Sequence, residues 1–221
     1  MILLHGNGGS RLGTLDTARP LVKAGYGVLM LDERASGESG GARRSYGWED
    51  PPDILATIEY LRARPDAANA RLGVAGCSVG AQIALQAAAR SPALEAVWAD
   101  GSSVVVAADN AAPASAGDGL ALLSNWIMDR MMVVRLGISP PPGILDSIGQ
   151  IAPRPIQLVA GGAPQPYFSS EAPRLQRYAQ FAGPNAAVWV IPEAHHCDGP
   201  AVRPEEYPQR LVEFFDAALL P

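Results

Sequence analysis

Leu72-Gly73-Val74-Ala75-Gly76-Cys77-Ser78-Val79-Gly80, followed by the alanine-rich run Ala81 to Arg90, is the stretch on which the fold turns. A short apolar, β-branched run enters a G-x-S-x-G pentapeptide and a strong helix former leaves it, so the spacing predicts strand, sharp turn and helix. Ser78 is the candidate nucleophile. The flanking glycines let neighbouring backbone approach a serine held in a strained conformation. A helix starting at the serine turns its unpaired N–H groups and positive dipole end toward any oxyanion formed there. The same glycines would also serve an ordinary turn, so the weight rests on the flanks.

Upstream, Met1 to Leu4 reads as a strand that breaks at His5-Gly6-Asn7-Gly8-Gly9. Leu15 to Ala24 has apolar positions at helical spacing, and Tyr26 to Leu31 reads as a buried strand. The polar loop Asp32 to Gly41 follows, then a helix opened by Pro51 and Pro52 with Ile54, Ile58 and Leu61 on one stripe. Downstream, Leu94 to Ala99, Pro155 to Ala160 and Ala186 to Ile191 read as strands, and Pro204 to Leu220 as a closing amphipathic helix. Strands separated by helices predict an α/β fold, a mostly parallel sheet with helices on both faces.

Composition bounds the function. The 221 residues, 48% hydrophobic and 18% charged, suit one domain over 1–221. A formal net charge of −5 and the absence of a basic run argue against nucleic acid or anionic membrane as partner and favour a small, uncharged substrate. No apolar run reaches membrane-spanning length, and with no secretory leader the default location is cytoplasmic. The two cysteines, Cys77 and Cys197, are too few for a disulfide scaffold. Side chains adjacent on a turn diverge, so both are expected as free thiols, with Cys77→Ala expected to keep most activity.

About fifty residues separate the strand ending near Asp100 from the one beginning at Pro155, far more than a usual connection. An insertion over approximately 101–154 is therefore expected. Its centre, Leu120 to Leu136, is apolar around much of a helix. Two readings stand: a cap over the site, with Trp126, Met128, Met131 and Met132 lining a pocket, or an ordinary core helix.

The remaining chemistry lies in Pro192-Glu193-Ala194-His195-His196-Cys197-Asp198-Gly199, after the last strand. A serine hydroxyl needs a neighbouring imidazole to take its proton, and that imidazole needs a carboxylate on its other nitrogen. Metal ligation by the two histidines is disfavoured because no H-x-x-x-H pair or carboxylate cluster accompanies them. No metal or cofactor is expected.

Together, His5-Gly6-Asn7-Gly8-Gly9, Asp32-x-Arg34-x-x-Gly37-x-Ser39, Gly76-Cys77-Ser78-Val79-Gly80 and Pro192-x-Ala194-x-His196 resemble the α/β-hydrolase fold, in particular its small microbial serine esterases. The resemblance implies a Ser–acid–His triad in that chain order. It makes Ser78 the nucleophile, His196 the base, and the N–H groups of Asn7 and Val79 the oxyanion donors. His195, where the family often has glycine, would line the entrance. The acid departs from the pattern, because residues 161–171, just after the strand ending at Ala160, hold no aspartate. Glu171 is the first carboxylate there, although it would equally suit a helix N-terminus near Ser169 or Ser170. Asp100 is the rival, with Asp198 behind it.

The implied activity is carboxylic ester hydrolysis through an acyl-enzyme on Ser78. A thioesterase, amidase or peptidase, an acyltransferase, or a non-catalytic binding protein of the same fold are the alternatives. The resemblance also makes Ile2–Leu4 the family's third strand, so the chain looks shortened and Tyr26 to Leu31 becomes a sheet edge. A homodimer covering that edge is one expectation; cover by the Ala107 to Gly119 stretch is another.

Overall fold

The computed structural model describes residues 1–110, 116–164 and 170–220. Six strands form one all-parallel sheet: β1 (Ile2–Leu4), β2 (Leu29–Met30), β3 (Leu72–Cys77), β4 (Leu94–Asp100), β5 (Ile156–Gly161) and β6 (Ala186–Ile191). Their spatial order is β2-β1-β3-β4-β5-β6, which places β3 inside the sheet.

Alternation along the strands divides the core in two. Ile2, Leu4, Val74, Val97, Ala99, Ile156 and Leu158 point to one face. There they meet α2 (Pro51–Ala63), α3 (Val79–Arg90) and α6 (Ala172–Ala182). Leu3, Ala75, Ala96, Trp98 and Val159 point to the other, against α1 (Leu15–Lys23) and α8 (Glu206–Leu219). Nine consecutive residues of α3, Gly80 to Ala88, are buried, so small side chains are needed between the larger Gln82, Ile83, Leu85 and Gln86. The alanines supply them at no cost in helix propensity.

The edge strand differs from expectation. Only Leu29 and Met30 pair with β1, and both are half-buried rather than fully covered. The Gly27 carbonyl accepts from the Met1 amino group at 2.6 Å, and ladder pairing with β1 begins at Leu29. A two-residue edge offers few unpaired backbone groups, so its shortness limits the liability an exposed edge carries. The stretch Ala107 to Gly119 lies partly outside the described residues.

The insertion between β4 and β5 holds α4 (Ala116–Leu136) and the short α5 (Ile144–Ser147). Leu122, Asn125, Asp129, Met132 and Leu136, three or four residues apart, are buried or half-buried and mark the side of α4 turned to the protein. Asp129 accepts from the Ala107 N–H at 2.8 Å, and Arg43 donates to the Arg135 and Leu136 carbonyls at 2.6 and 3.2 Å. The opposite side stays apolar and open: Leu123, Trp126, Ile127, Met128, Met131 and Val134 are exposed. No helix among the described residues is long and apolar enough to cross a membrane. α7 (Gly199–Val202) follows the loop after β6.

Candidate active site

Ser78 sits between β3 and α3 with φ +56°, a left-handed conformation that a non-glycine residue adopts only when its surroundings enforce it. Its N–H donates to the Asp100 carbonyl at 2.8 Å, and its carbonyl accepts from Gln82 N–H at 3.1 Å and Ser103 N–H at 3.3 Å. Gly76 and Gly80 are needed for close approach. A Cβ at 76 would lie 2.4 Å from the Gly80 backbone, and one at 80 would lie 2.5 Å from the His5 carbonyl oxygen. The turn brings α3 that near to β3 and β1, and only glycine fits between them.

His196 reaches the serine from the loop after β6. Its Nε2 lies 2.8 Å from Ser78 Oγ, and its Nδ1 contacts Glu171 Oε1. Glu171 is fully buried at the N-terminus of α6, where its other oxygen accepts from the Gly161 N–H at 3.1 Å. Burial pushes its pKa up. The His196 hydrogen bond and charge, the Gly161 N–H and the Arg174 charge outweigh burial and hold Glu171 below the ordinary glutamate range. An ionised carboxylate only accepts, so Nδ1 carries the proton and Nε2 is left to accept from the Ser78 hydroxyl.

Asp100, the rival acid, is engaged elsewhere. Trp98 Nε1 donates to the Tyr207 hydroxyl at 2.9 Å, and that hydroxyl donates to Asp100 Oδ2 at 2.7 Å. Burial pushes Asp100 up to about 7; the Tyr207 hydrogen bond and the His196 charge oppose this and the Glu171 charge adds to it. Asp198 stands at the N-cap position of α7, its backbone carbonyl accepting from Ala201 and Val202, and its side chain makes no capping bond there.

Asn7 and Val79 border one narrow cleft together with His5, Gly6 and Arg44. His5 is buried and accepts at Nε2 from the Glu33 N–H at 3.2 Å, which ties the loop after β1 to the loop after β2. A larger cavity of about 720 Å³ lies between the 31–43 segment and α2, lined by Asp32, Arg34, Arg43 and Asp53 among others. Neither space is lined by Trp126, Met128, Met131 or Met132. Met132 is a correction: it is buried in the core with Val105, Val106 and Ile144, because it falls on the inward stripe of α4. Trp126, Met128, Met131 and His195 are exposed.

Sequence reasoning missed two features. Ser103, whose Oγ lies 3.3 Å from Ser78 Oγ, carries no local motif that marks it. Cys77 and Cys197 are joined in a disulfide with a Cα–Cα distance of 6.1 Å, and no free cysteine remains. The expectation of free thiols fails because Cys77 ends β3, before the turn, while Cys197 takes φ +55° and turns back toward it. Cα atoms so spaced lie within normal bridging range.

The strand order, the serine on a strand–turn–helix bend and a histidine after the last strand define an α/β-hydrolase. The model of the X-Pro dipeptidyl-peptidase (S15) family matches residues 6–123, just over half of the chain, and the chain belongs to that family. Among solved structures, the Pyrococcus furiosus esterase Pf2001 is 26% identical with a TM-score of 0.75, covering 99% of this chain and 81% of that one. The dienelactone hydrolase from Anabaena variabilis is 20% identical with a TM-score of 0.70, covering 99% and 86%. The proline iminopeptidase from Mycobacterium smegmatis is 16% identical with a TM-score of 0.65, covering 99% and 89%. The last two share the fold. No curated protein matches the chain. The chain is a serine hydrolase in the general sense these relatives define.

Proposed function

We propose that the protein cleaves carboxylic esters through an acyl-enzyme on Ser78. The observation that carries the reading is His196, which touches the Ser78 hydroxyl with one nitrogen and the buried Glu171 with the other. In that arrangement His196 takes the Ser78 proton as Oγ attacks the ester carbonyl, and Glu171 stabilises the resulting imidazolium. The tetrahedral oxyanion lies against the N–H groups of Asn7 and Val79, each donor worth on the order of a hundredfold or more in rate. His196 then protonates the departing alcohol, and water attacks the acyl-enzyme by the same route in reverse. We further propose that the insertion acts as a cap and that acyl groups reach the open Trp126, Met128 and Met131 face of α4, which lines neither cavity. The likeness to the esterase Pf2001 supports an ester as the substrate, with an alcohol as the leaving group.

Amide or peptide cleavage is the second reading, favoured by the family's description as X-Pro dipeptidyl-peptidases. The same triad serves both, because the pocket chooses the leaving group. The kcat/KM values for p-nitrophenyl acyl esters and for aminoacyl-prolyl anilides decide between them. An activated aryl ester is intrinsically easier to cleave than an anilide, so ester turnover without measurable anilide cleavage supports the esterase, and anilide cleavage that requires the prolyl group supports the peptidase.

A further inference from the structure

We infer that the Cys77–Cys197 disulfide is a positioning device for the base, and that the hydrolase is fully active only with that bond intact. The inference rests on the proposed roles of Ser78 and His196. The bond joins the residue before the nucleophile to the residue after the base, across 120 positions of sequence. Its two ends differ in rigidity. Cys77 closes β3, a strand paired with β1 on one side and, at Cys77 itself, with β4 on the other. Cys197 belongs to a loop in which Pro192, Glu193, His195 and His196 are all exposed.

That loop has few other anchors close to His196. Ala194 is buried, donates to the Ile191 carbonyl at 3.1 Å and accepts from the Ala163 N–H at 3.0 Å. The Asp198 N–H donates to the His195 carbonyl, a bond within the loop itself. The Glu193–Arg203 ion pair is exposed and weakly restraining. Between Ala194 and Gly199, among the described residues, the side chains tied to the sheet are His196 and Cys197, whose Sγ also lies 3.6 Å from the Asp100 carbonyl; the His195 carbonyl packs against Gly161, and the Asp198 carbonyl holds α7. Cys197 is also left-handed at φ +55°, a conformation that persists only where the surroundings over-determine it. Gly101 makes room for the arrangement: a Cβ there would lie 2.9 Å from His196 Nδ1 and 3.0 Å from Cys197 Sγ.

A general base works within hydrogen-bond reach, and a misplacement of about 1 Å costs on the order of a hundredfold in rate. Opening the bond frees Cys197 to leave the left-handed region, and His196 moves with it. The chemistry of opening is thiol–disulfide exchange. One thiolate of a dithiol attacks a sulfur of the bridge and forms a mixed disulfide. The second thiolate resolves it, leaving two protein thiols and a cyclic, oxidised dithiol. Two electrons and two protons pass from the dithiol to the bridge. In a reducing compartment the pair would stand open, and in an oxidising one closed.

The test uses the full chain, oxidised and then fully reduced with dithiothreitol, with thiols counted and the fold followed by near-UV circular dichroism. The expected result is no free thiol in the oxidised protein and a folded reduced protein. On reduction kcat should fall at least about tenfold with KM changed less than about twofold. The acid limb of the kcat pH profile should also move, and reoxidation should restore the rate. A Cys77→Ser/Cys197→Ser double variant should have the reduced rate and ignore dithiothreitol. An unchanged kcat after complete reduction overturns the inference. So does a loss that merely tracks the unfolded fraction with an unmoved pH profile, or two free thiols in the fully active protein. A Ser78→Ala protein that still turned over substrate would overturn the hydrolase reading itself, and this inference with it.

Discussion

The Ser78 bend and α4 lie in the same molecule and are held in opposite ways. Ser78 is fixed by strand pairing, by two glycine contacts too close for any side chain, by the N-terminus of α3 and by His196. α4 is fixed along one stripe and leaves an apolar face open. A reacting group must be placed before the substrate arrives, because reorganisation at the moment of reaction costs rate. On the proposed cap reading, a surface that meets varied acyl groups gains from the reverse, because Met side chains adapt to varied apolar partners.

Substitutions should therefore divide along this line. Ser78→Ala should abolish turnover, by roughly a millionfold if the three residues act as one unit, with the fold kept in circular dichroism. Glu171→Gln should keep the fold and lower kcat by on the order of ten-thousandfold, because the amide no longer fixes the histidine tautomer. Asp100→Asn should cost far less, since Asp100 is held by Tyr207 and not by His196. A larger loss for Asp100→Asn would move the acid to the end of β4.

Asp100 also gives a pH dependence. Its pKa stands raised to about 7 in the folded protein, so the folded state keeps a proton that the unfolded chain loses near pH 4. Stability from this group is complete below that lower value and falls as pH rises to about 7. Denaturant midpoints should thus shift toward the Asp100→Asn protein between pH 4 and 7. Glu171 has the opposite sign: its pKa is lowered, so its contribution holds above the ordinary glutamate range and is lost as pH falls through the folded value.

On α4 the effects should be smaller and should separate within two adjacent residues. Met132→Ala, in the core, should cost about 2–5 kcal/mol in urea unfolding. Met131→Ala, exposed, should leave stability within about 0.5 kcal/mol and shift only the acyl-chain preference of kcat/KM. No shift across a p-nitrophenyl ester series would take Met131 out of the substrate path.

The same contrast governs what the sequence could disclose. The strands were legible to within a few residues at β3, β4, β5 and β6, because buried parallel strands are short apolar runs bounded by turns. Tyr26 to Leu31 looked the same, yet only two of its residues pair; periodicity says nothing of how far a partner extends. Ser78 and His196 could be singled out because the chemistry asks for a serine, an imidazole and a carboxylate, and the α/β-hydrolase resemblance implied their chain order; the carboxylate stayed open between Glu171, Asp100 and Asp198. Ser103 and the disulfide were not, since both depend on how a loop folds back on β3. α4 was ambiguous for a related reason: a helix apolar all round does not say which side is covered, and of the neighbours Met131 and Met132 one is exposed and the other buried.

The central claim is that Ser78 is a nucleophile activated by His196 and Glu171. Its most direct test is the rate of labelling by a fluorophosphonate probe, with the modified residue located by mass spectrometry. The account predicts a single adduct on Ser78, formed rapidly in the native protein and slowed at least about a hundredfold in Glu171→Gln and His196→Ala. Labelling elsewhere, or none in folded protein that hydrolyses esters, would contradict it.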